Sequence, residues 1–261
     1  MGILNVTPDS FYDGGRYTIE AALISRVASM MEEGADIIDI GAFSTRPGAA
    51  EITPDEEKAR LLGALQLIRR EFPDICISVD TFRADIAKLA VEEFGAGIIN
   101  DVSAGNLDDR MFATAGKLKV PYIMMHMLGT PGKMPSDPVY ADVTRDLMAY
   151  FADRVAAAKL QGIIDIIIDP GFGFGKTVQQ NFQLLRELNL FTLMGMPVLV
   201  GVSRKSMIYK SLNVSKEYAL NGTSVLNALA LANGARILRV HDVKQAVEAV
   251  KLFMIYNTAT I

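Results

Sequence analysis

Three strand-like apolar runs end in a carboxylate or a carboxamide. Asp80 follows Ile77-Ser78-Val79, Asp169 follows three isoleucines, and Asn100 closes Gly97-Ile98-Ile99. A carboxylate at the end of an apolar run is costly unless it is given a cation or hydrogen-bond donors. Two Asp and one Asn facing inwards would suit a flat heterocycle with adjacent N–H donors, because a carboxylate accepts two parallel hydrogen bonds. The same residue types also read as helix caps, or as metal ligands, with Asp80 and Asp169 the pair that could build an octahedral magnesium site. Cations gather at other turns: Arg46, Lys205, Arg239 and His241. Arg239 and His241 stand two apart at a strand end, so both point the same way. The chain carries 26 Lys+Arg against 30 Asp+Glu, a net charge of −4. In that setting the grouping points to an anion, most simply a phosphate or diphosphate. Ordinary ion pairing is the competing account of Arg204, Lys205 and Arg239. His126 ends an apolar Met-Met run and reads equally as a core histidine or a functional one.

Residues 170–177 (PGFGFGKT) look like a phosphate loop and depart from one. The P-loop pattern requires glycine where Pro170 stands, and the dinucleotide fingerprint requires glycine where Lys176 stands. What remains is a glycine-rich loop after Asp169 that lets backbone approach a flat ligand closely.

The elements that must position these groups repeat along the chain. Runs rich in Ile and Val occur at 2–6, 36–40, 75–79, 97–100, 121–125, 163–168, 197–202 and 236–240. They recur roughly every 33 residues, the length of one strand, one helix and two loops. Helical apolar spacing fills 19–33, 85–93, 139–160, 179–188, 217–232 and 243–256, and Thr53-Pro54-Asp55-Glu56 is a capping-box helix start. Eight such units, with no linker or composition shift, predict one (β/α)8 barrel domain over 1–261, an α/β fold with eight parallel strands inside a ring of helices. The polar clusters all follow strands, so they should converge on the barrel's C-terminal face.

Composition narrows the function classes. The 261 residues are half apolar and about one fifth charged, which excludes a disordered chain. The mild acidity and the lack of a basic block argue against a nucleic-acid surface. The longest apolar stretch, 190–202, is short and broken by Gly195, Pro197 and Gly201, which argues against a membrane span. The single cysteine, Cys76, rules out a disulfide framework and fits a reducing cytoplasm. No targeting signal is recognisable at the start.

Seven motifs in order resemble the dihydropteroate synthase family: residues 1–11 (MGILNVTPDSF), 41–48 (GAFSTRPG), 80–83 (DTFR), 99–103 (INDVS), 169–176 (DPGFGFGK), 203–207 (SRKSM) and 239–242 (RVHD). The match runs from the first residue to Asp242, and the bacterial single-domain form is the better comparison, since no fused pterin kinase is present. The resemblance implies condensation of 6-hydroxymethyl-7,8-dihydropterin diphosphate with 4-aminobenzoate, releasing diphosphate, with Mg2+ as cofactor. By similarity, Asp80, Asn100, Asp169 and Lys205 bind the pterin, and Arg239 stacks on it. Asn5, Arg239, His241, Thr45 and Arg46 meet the diphosphate, and Asn5 is the magnesium ligand. Thr45, Pro47, Phe174, Lys205 and Ser206 meet the aminobenzoate. Asp9, Phe11, Arg46 and Lys205 carry the catalytic roles, the first three on loops that close over the site. A homodimer through the faces of 220–231 and 247–253, and sensitivity to sulfonamides, are implied as well. Family members usually carry a short segment before the first strand, whereas this chain begins inside it. Tyr12 and Leu128 replace more polar residues, and Lys176 and Arg204 take no role from the resemblance. A pterin-dependent methyltransferase barrel shares the Asp/Asn grip, but would not need the Ser-Thr-Arg-Pro and Ser-Arg-Lys-Ser loops. A silent pterin-binding barrel would not need Asp9, Phe11 and Arg46.

Overall fold

The structure is a computed structural model that describes residues 1–6, 16–43, 52–130, 132–135 and 137–259. Strands and helices alternate along it: β1 (Gly2–Asn5), α1 (Arg16–Glu32), β2 (Ile37–Gly41), α2 (Pro54–Glu71), β3 (Cys76–Asp80), α3 (Ala84–Phe94), β4 (Ile98–Asp101), α4 (Met111–Leu118), β5 (Tyr122–Met125), α5 (Val143–Leu160), β6 (Ile166–Asp169), α6 (Val178–Arg186), the short α7 (Asn189–Thr192), β7 (Leu199–Val200), α8 (Ser206–Leu212), α9 (Leu220–Ala232), β8 (Ile237–Leu238) and α10 (Val243–Thr258). β1 to β6 pair in parallel in chain order, as do β7 and β8. Two bridges join these ladders into a ring. Ile168 N–H donates to the Pro197 carbonyl at 2.9 Å, and Ile3 N–H to the Val240 carbonyl at 2.9 Å. The fold is therefore the expected (β/α)8 barrel, with its edge strands paired off.

The period of two along each strand divides the core. Ile98, Ile123, Ile167 and Leu199 form a buried plug, with Ile37 and Ile237 against it. A separate, larger cluster fills the layer between strands and helices. Two residues beyond the plug, on the same face of their strands, come Asp39 after Ile37, Asn100 after Ile98, Asp169 after Ile167 and Arg239 after Ile237. The apolar lumen thus ends in a polar layer at the C-terminal mouth.

Several element bounds differ from the sequence pattern. β7 and β8 are two residues each, where runs of six and five are expected. Pro197 has no N–H to donate, which shortens the regular ladder at β7. Asp142 accepts from Arg145 N–H at 3.0 Å and starts α5 four residues later than the apolar pattern, leaving Val139 exposed. Residues 216–218 form a single 3₁₀ turn before α9. The Thr53–Glu56 capping box is present as expected, and a second one, Thr177 with Gln180, opens α6.

Candidate active site

Arg239, one residue past β8, lies between two carboxylates. Its Nε donates to Asp39 Oδ2 at 2.6 Å and its Nη2 to Asp80 Oδ2 at 2.7 Å. Asp39 is wholly buried, and Asn100 Nδ2 donates to it at 3.1 Å. The mouth thus holds one network, Asn100–Asp39–Arg239–Asp80, built from β2, β3, β4 and β8. Burial pushes the Asp80 carboxyl up from its usual range, Arg239 opposes this, and Asp39 adds to it. The guanidinium beside Asp80 would repel a metal ion there, so the alternative magnesium pair of Asp80 and Asp169 is not favoured. Among the described residues no group of three His, Cys, Asp or Glu side chains could hold a metal ion.

Asp169 closes β6 and is buried. Its Oδ1 accepts from Gly171 N–H at 2.8 Å. Burial pushes this carboxyl up as well, and the Gly171 hydrogen bond and the charges of Lys205, Arg239 and Lys176 pull the other way. Among the described residues, Asp80 Oδ1, Asn100 Oδ1 and Asp169 Oδ2 accept no hydrogen bond. These are three open acceptors in one polar layer. A flat ligand with adjacent N–H groups would satisfy them.

Lys205 precedes α8, in extended backbone that turns its side chain back over the glycine-rich loop. Its Nζ donates to the Phe172 carbonyl and lies 4.1 Å from the centre of the Phe174 ring. Burial pushes its pKa down to about 7, Asp169 opposes that, and Arg239 reinforces it. Ser206 is the first residue of α8 and half-buried.

His241 follows β8 and is half-buried. Its N–H donates to Ser203 Oγ at 3.2 Å, and its carbonyl accepts from Arg26 at 2.7 Å. Arg204 is an ion-pair residue, as one sequence reading had it: Nε and Nη2 hold Asp242 at 2.9 and 2.7 Å. That pair ties the loop after β7 to the loop after β8, and so fixes Lys205 relative to His241. An open cavity of about 320 Å³ lies against this ion pair, lined by Arg204, Lys216, Glu217, His241 and Asp242. Asn5 ends β1, and among the described residues its side chain has no hydrogen-bond partner.

Asp80, Asn100, Asp169, Lys205 and Arg239 are therefore brought together, with Asn5, His241, Phe174 and Ser206 on the same face. Asp9, Phe11, Thr45, Arg46 and Pro47 lie outside the described residues. The sequence reading passed over Asp39, which holds both Arg239 and Asn100. Its signal was a lone carboxylate inside an isoleucine run, on the same strand face as the lumen residue Ile37. Asp101, in the same cluster as Asn100, is structural. It is buried and accepts from Ser103, Gly105 and the Tyr122 hydroxyl, which folds the loop after β4.

A (β/α)8 barrel with a polar, mixed-charge C-terminal mouth over a dry plug defines a class: an enzyme for a flat, hydrogen-bonding, anion-bearing small molecule. The pterin binding enzyme family profile matches residues 1–241. The dihydropteroate synthase of Escherichia coli is 41% identical over 254 residues, 97% of this chain and 89% of that protein. A crystal structure of dihydropteroate synthase from Clostridium difficile in the presence of pteroic acid superposes with TM-score 0.92 and 37% identity, covering 99% of this chain and 96% of that one. The Xanthomonas albilineans dihydropteroate synthase with 4-aminobenzoic acid superposes with TM-score 0.91 and 38% identity, covering 100% and 93%. The chain belongs to the pterin-binding enzyme family, among the dihydropteroate synthases.

Proposed function

We propose that this chain condenses 6-hydroxymethyl-7,8-dihydropterin diphosphate with 4-aminobenzoate to give 7,8-dihydropteroate and diphosphate in folate biosynthesis. The observation that carries the reading is the set of three open acceptors, on Asp80, Asn100 and Asp169, beside Arg239 and Lys205. The amino-pyrimidinone edge of a pterin presents the N–H donors this set lacks. Arg239 supplies positive charge and His241 a ring donor for the diphosphate, and Phe174, Lys205 and Ser206 line the place for the aminobenzoate. Asp9, Phe11, Thr45, Arg46 and Pro47 are assigned to closing over the site on the resemblance alone.

The bond from the exocyclic methylene to oxygen breaks with its electron pair leaving on the diphosphate. The electron-rich dihydropterin ring delocalises the resulting positive charge, which favours a dissociative step. The aniline nitrogen then attacks that carbon and loses a proton. Arg239 and His241 stabilise the departing anion, and the Phe174 ring excludes water from the cation. The free carboxamide of Asn5 fits a magnesium ion held mainly by diphosphate oxygens, and such an ion would neutralise leaving-group charge.

The chain works as one domain, which the closing of β8 onto β1 supports. A homodimer through α9 and α10 is supported by their exposed Val225, Leu229, Val250, Leu252, Met254 and Ile255. A cytoplasmic location fits the exposed free thiol of Cys76. Among the described residues no helix is long and apolar enough to cross a membrane. Incubation with both substrates and magnesium tests the reading. Dihydropteroate and diphosphate should form in equal amounts, and methyl transfer or binding without turnover would overturn it.

A further inference from the structure

The glycine-rich loop is gripped from two sides, and only the Lys205 side is used by the reaction above. On the other side lies Lys176, buried beneath the loop. Its Nζ donates to the Gly171 carbonyl at 2.9 Å, the Phe174 carbonyl at 3.1 Å and His126 Nδ1 at 3.0 Å, with the His126 carbonyl at 3.4 Å. No carboxylate lies within ion-pair distance of it among the described residues. Carbonyl dipoles and a neutral imidazole stand in for water around this buried amine, whose pKa burial pushes down to about 7, an arrangement that is costly unless its geometry is fixed. It is fixed here. Gly171 and Gly175 adopt φ of +71° and +64°, and a Cβ on Gly171 would collide with the His126 carbonyl oxygen. Tyr140 donates to the Gly175 carbonyl at 2.9 Å, and the Tyr150 ring stands edge-on to His126 at 4.8 Å. The Gly171 and Phe174 carbonyls therefore turn back to Lys176, and the Phe172 carbonyl between them turns to Lys205.

We propose that Lys176 is a positioning residue for the arylamine half of the reaction: by drawing the Gly171 and Phe174 carbonyls inward it sets the direction of the Phe172 carbonyl and the Phe174 ring, and so the place of Lys205. His126 serves as its acceptor. Burial and the Lys176 charge keep that imidazole neutral, with its pKa pushed down to about 3. The inference rests on the proposed function for the identity of the ring that Phe174 and Lys205 receive.

Lys176→Met removes the three donors and keeps the volume of the chain. The KM for 4-aminobenzoate should rise at least about tenfold, while the Kd of a free pterin, which Asp80 and Asn100 hold independently of this loop, should change by a smaller factor. Amide exchange of Gly173 and Phe174 should speed up at least about tenfold, with the β3 amides unchanged. Lys176→Gln keeps a donor to the carbonyls and should fall between the two, and it carries the test where Lys176→Met does not fold. Equal losses for both substrates, or unchanged exchange in the loop, would overturn the proposal. Wild-type protein that makes no dihydropteroate would overturn the functional reading, and the exchange measurement would still decide the role of Lys176.

Discussion

Arg239 and Lys205 are two cations at one barrel mouth, and the protein treats them in opposite ways. Arg239 is gripped by Asp39 and Asp80 at 2.6 and 2.7 Å. Burial alone would lower its pKa, but the two carboxylates hold it above its ordinary value. Lys205 has a carbonyl and an aromatic face for company, and burial brings its pKa down to about 7. Asp169 acts on it only from beyond ion-pair distance. Arg239 is therefore a charge fixed by the fold, whereas the charge of Lys205 depends on what binds beside it. A site that must hold an anion and a neutral amine in turn has use for both kinds.

Removing each cation should separate the two roles. Arg239→Met leaves Asp39 fully buried with Asn100 as its only donor, and should destabilise the fold by about 3–5 kcal/mol. Lys205→Met keeps an unbranched side chain of similar volume and breaks no ion pair with a buried carboxylate, so it should cost less than about 1 kcal/mol. Urea unfolding of the two variants measures both. Comparable losses would mean that Lys205 is part of the structural network, and the contrast would fail.

The acceptor facing Lys205 comes next. Asp169→Asn should weaken pterin binding by on the order of 3 kcal/mol, about a hundredfold. An amide nitrogen there would meet the pterin's own donors, and the charge that favours protonated Lys205 would be lost. Calorimetric titration with a pterin reads the effect. An affinity within about threefold of wild type, with a lowered Tm, would make Asp169 a loop cap for Gly171 and no more.

Much of this arrangement is legible in the chain, and the parts that are not have physical causes. Eight runs rich in Ile and Val give the barrel because a parallel strand covered on both faces must be largely apolar. Asp80, Asn100 and Asp169 stand out as polar residues where such runs stop. Asp39 does not, because it sits inside its run, and only strand alternation places it in the lumen beside Arg239. Lys176 was read through the dinucleotide fingerprint it breaks, and a linear pattern does not show that a lysine is turned under its own loop. The helix over Ser206–Leu212 was missed because its start coincides with the polar cluster after β7. The helix over Met111–Leu118 was missed because Ala113, Thr114, Ala115 and Gly116 give little apolar periodicity.

Filling the anion site should change the arylamine site through Lys205. Magnesium diphosphate, added to protein with a bound pterin, should tighten a sulfonamide mimic of 4-aminobenzoate by roughly 1–3 kcal/mol. The diphosphate fixes the charge of Lys205, and by the family resemblance it also orders the loop of Thr45, Arg46 and Pro47. Titrating the mimic with and without magnesium diphosphate measures this coupling. Equal affinities would mean that the pocket is formed before the anion arrives, and the dissociative order of events would lose its support.

The smallest effect tests the contrast most directly, because it counts the proton itself. With a pKa of about 7, Lys205 is mostly neutral at pH 8 in the free protein. An anion beside it favours the ammonium form and moves the pKa back towards the ordinary lysine range, so binding must take up a proton. At pH 8 the uptake should be roughly half a proton or more per site, and it should vanish at pH 6, where Lys205 is already charged. Arg239 contributes nothing at either pH, since its two carboxylates keep it charged throughout. Calorimetry of diphosphate binding in buffers of different ionisation enthalpy gives the number of protons. Lys205→Met serves as the reference, because it retains any protons exchanged by the diphosphate itself or by Lys176. A wild-type uptake equal to that of Lys205→Met at pH 8 would show that Lys205 is charged before the anion binds, and both cations would then be fixed by the fold.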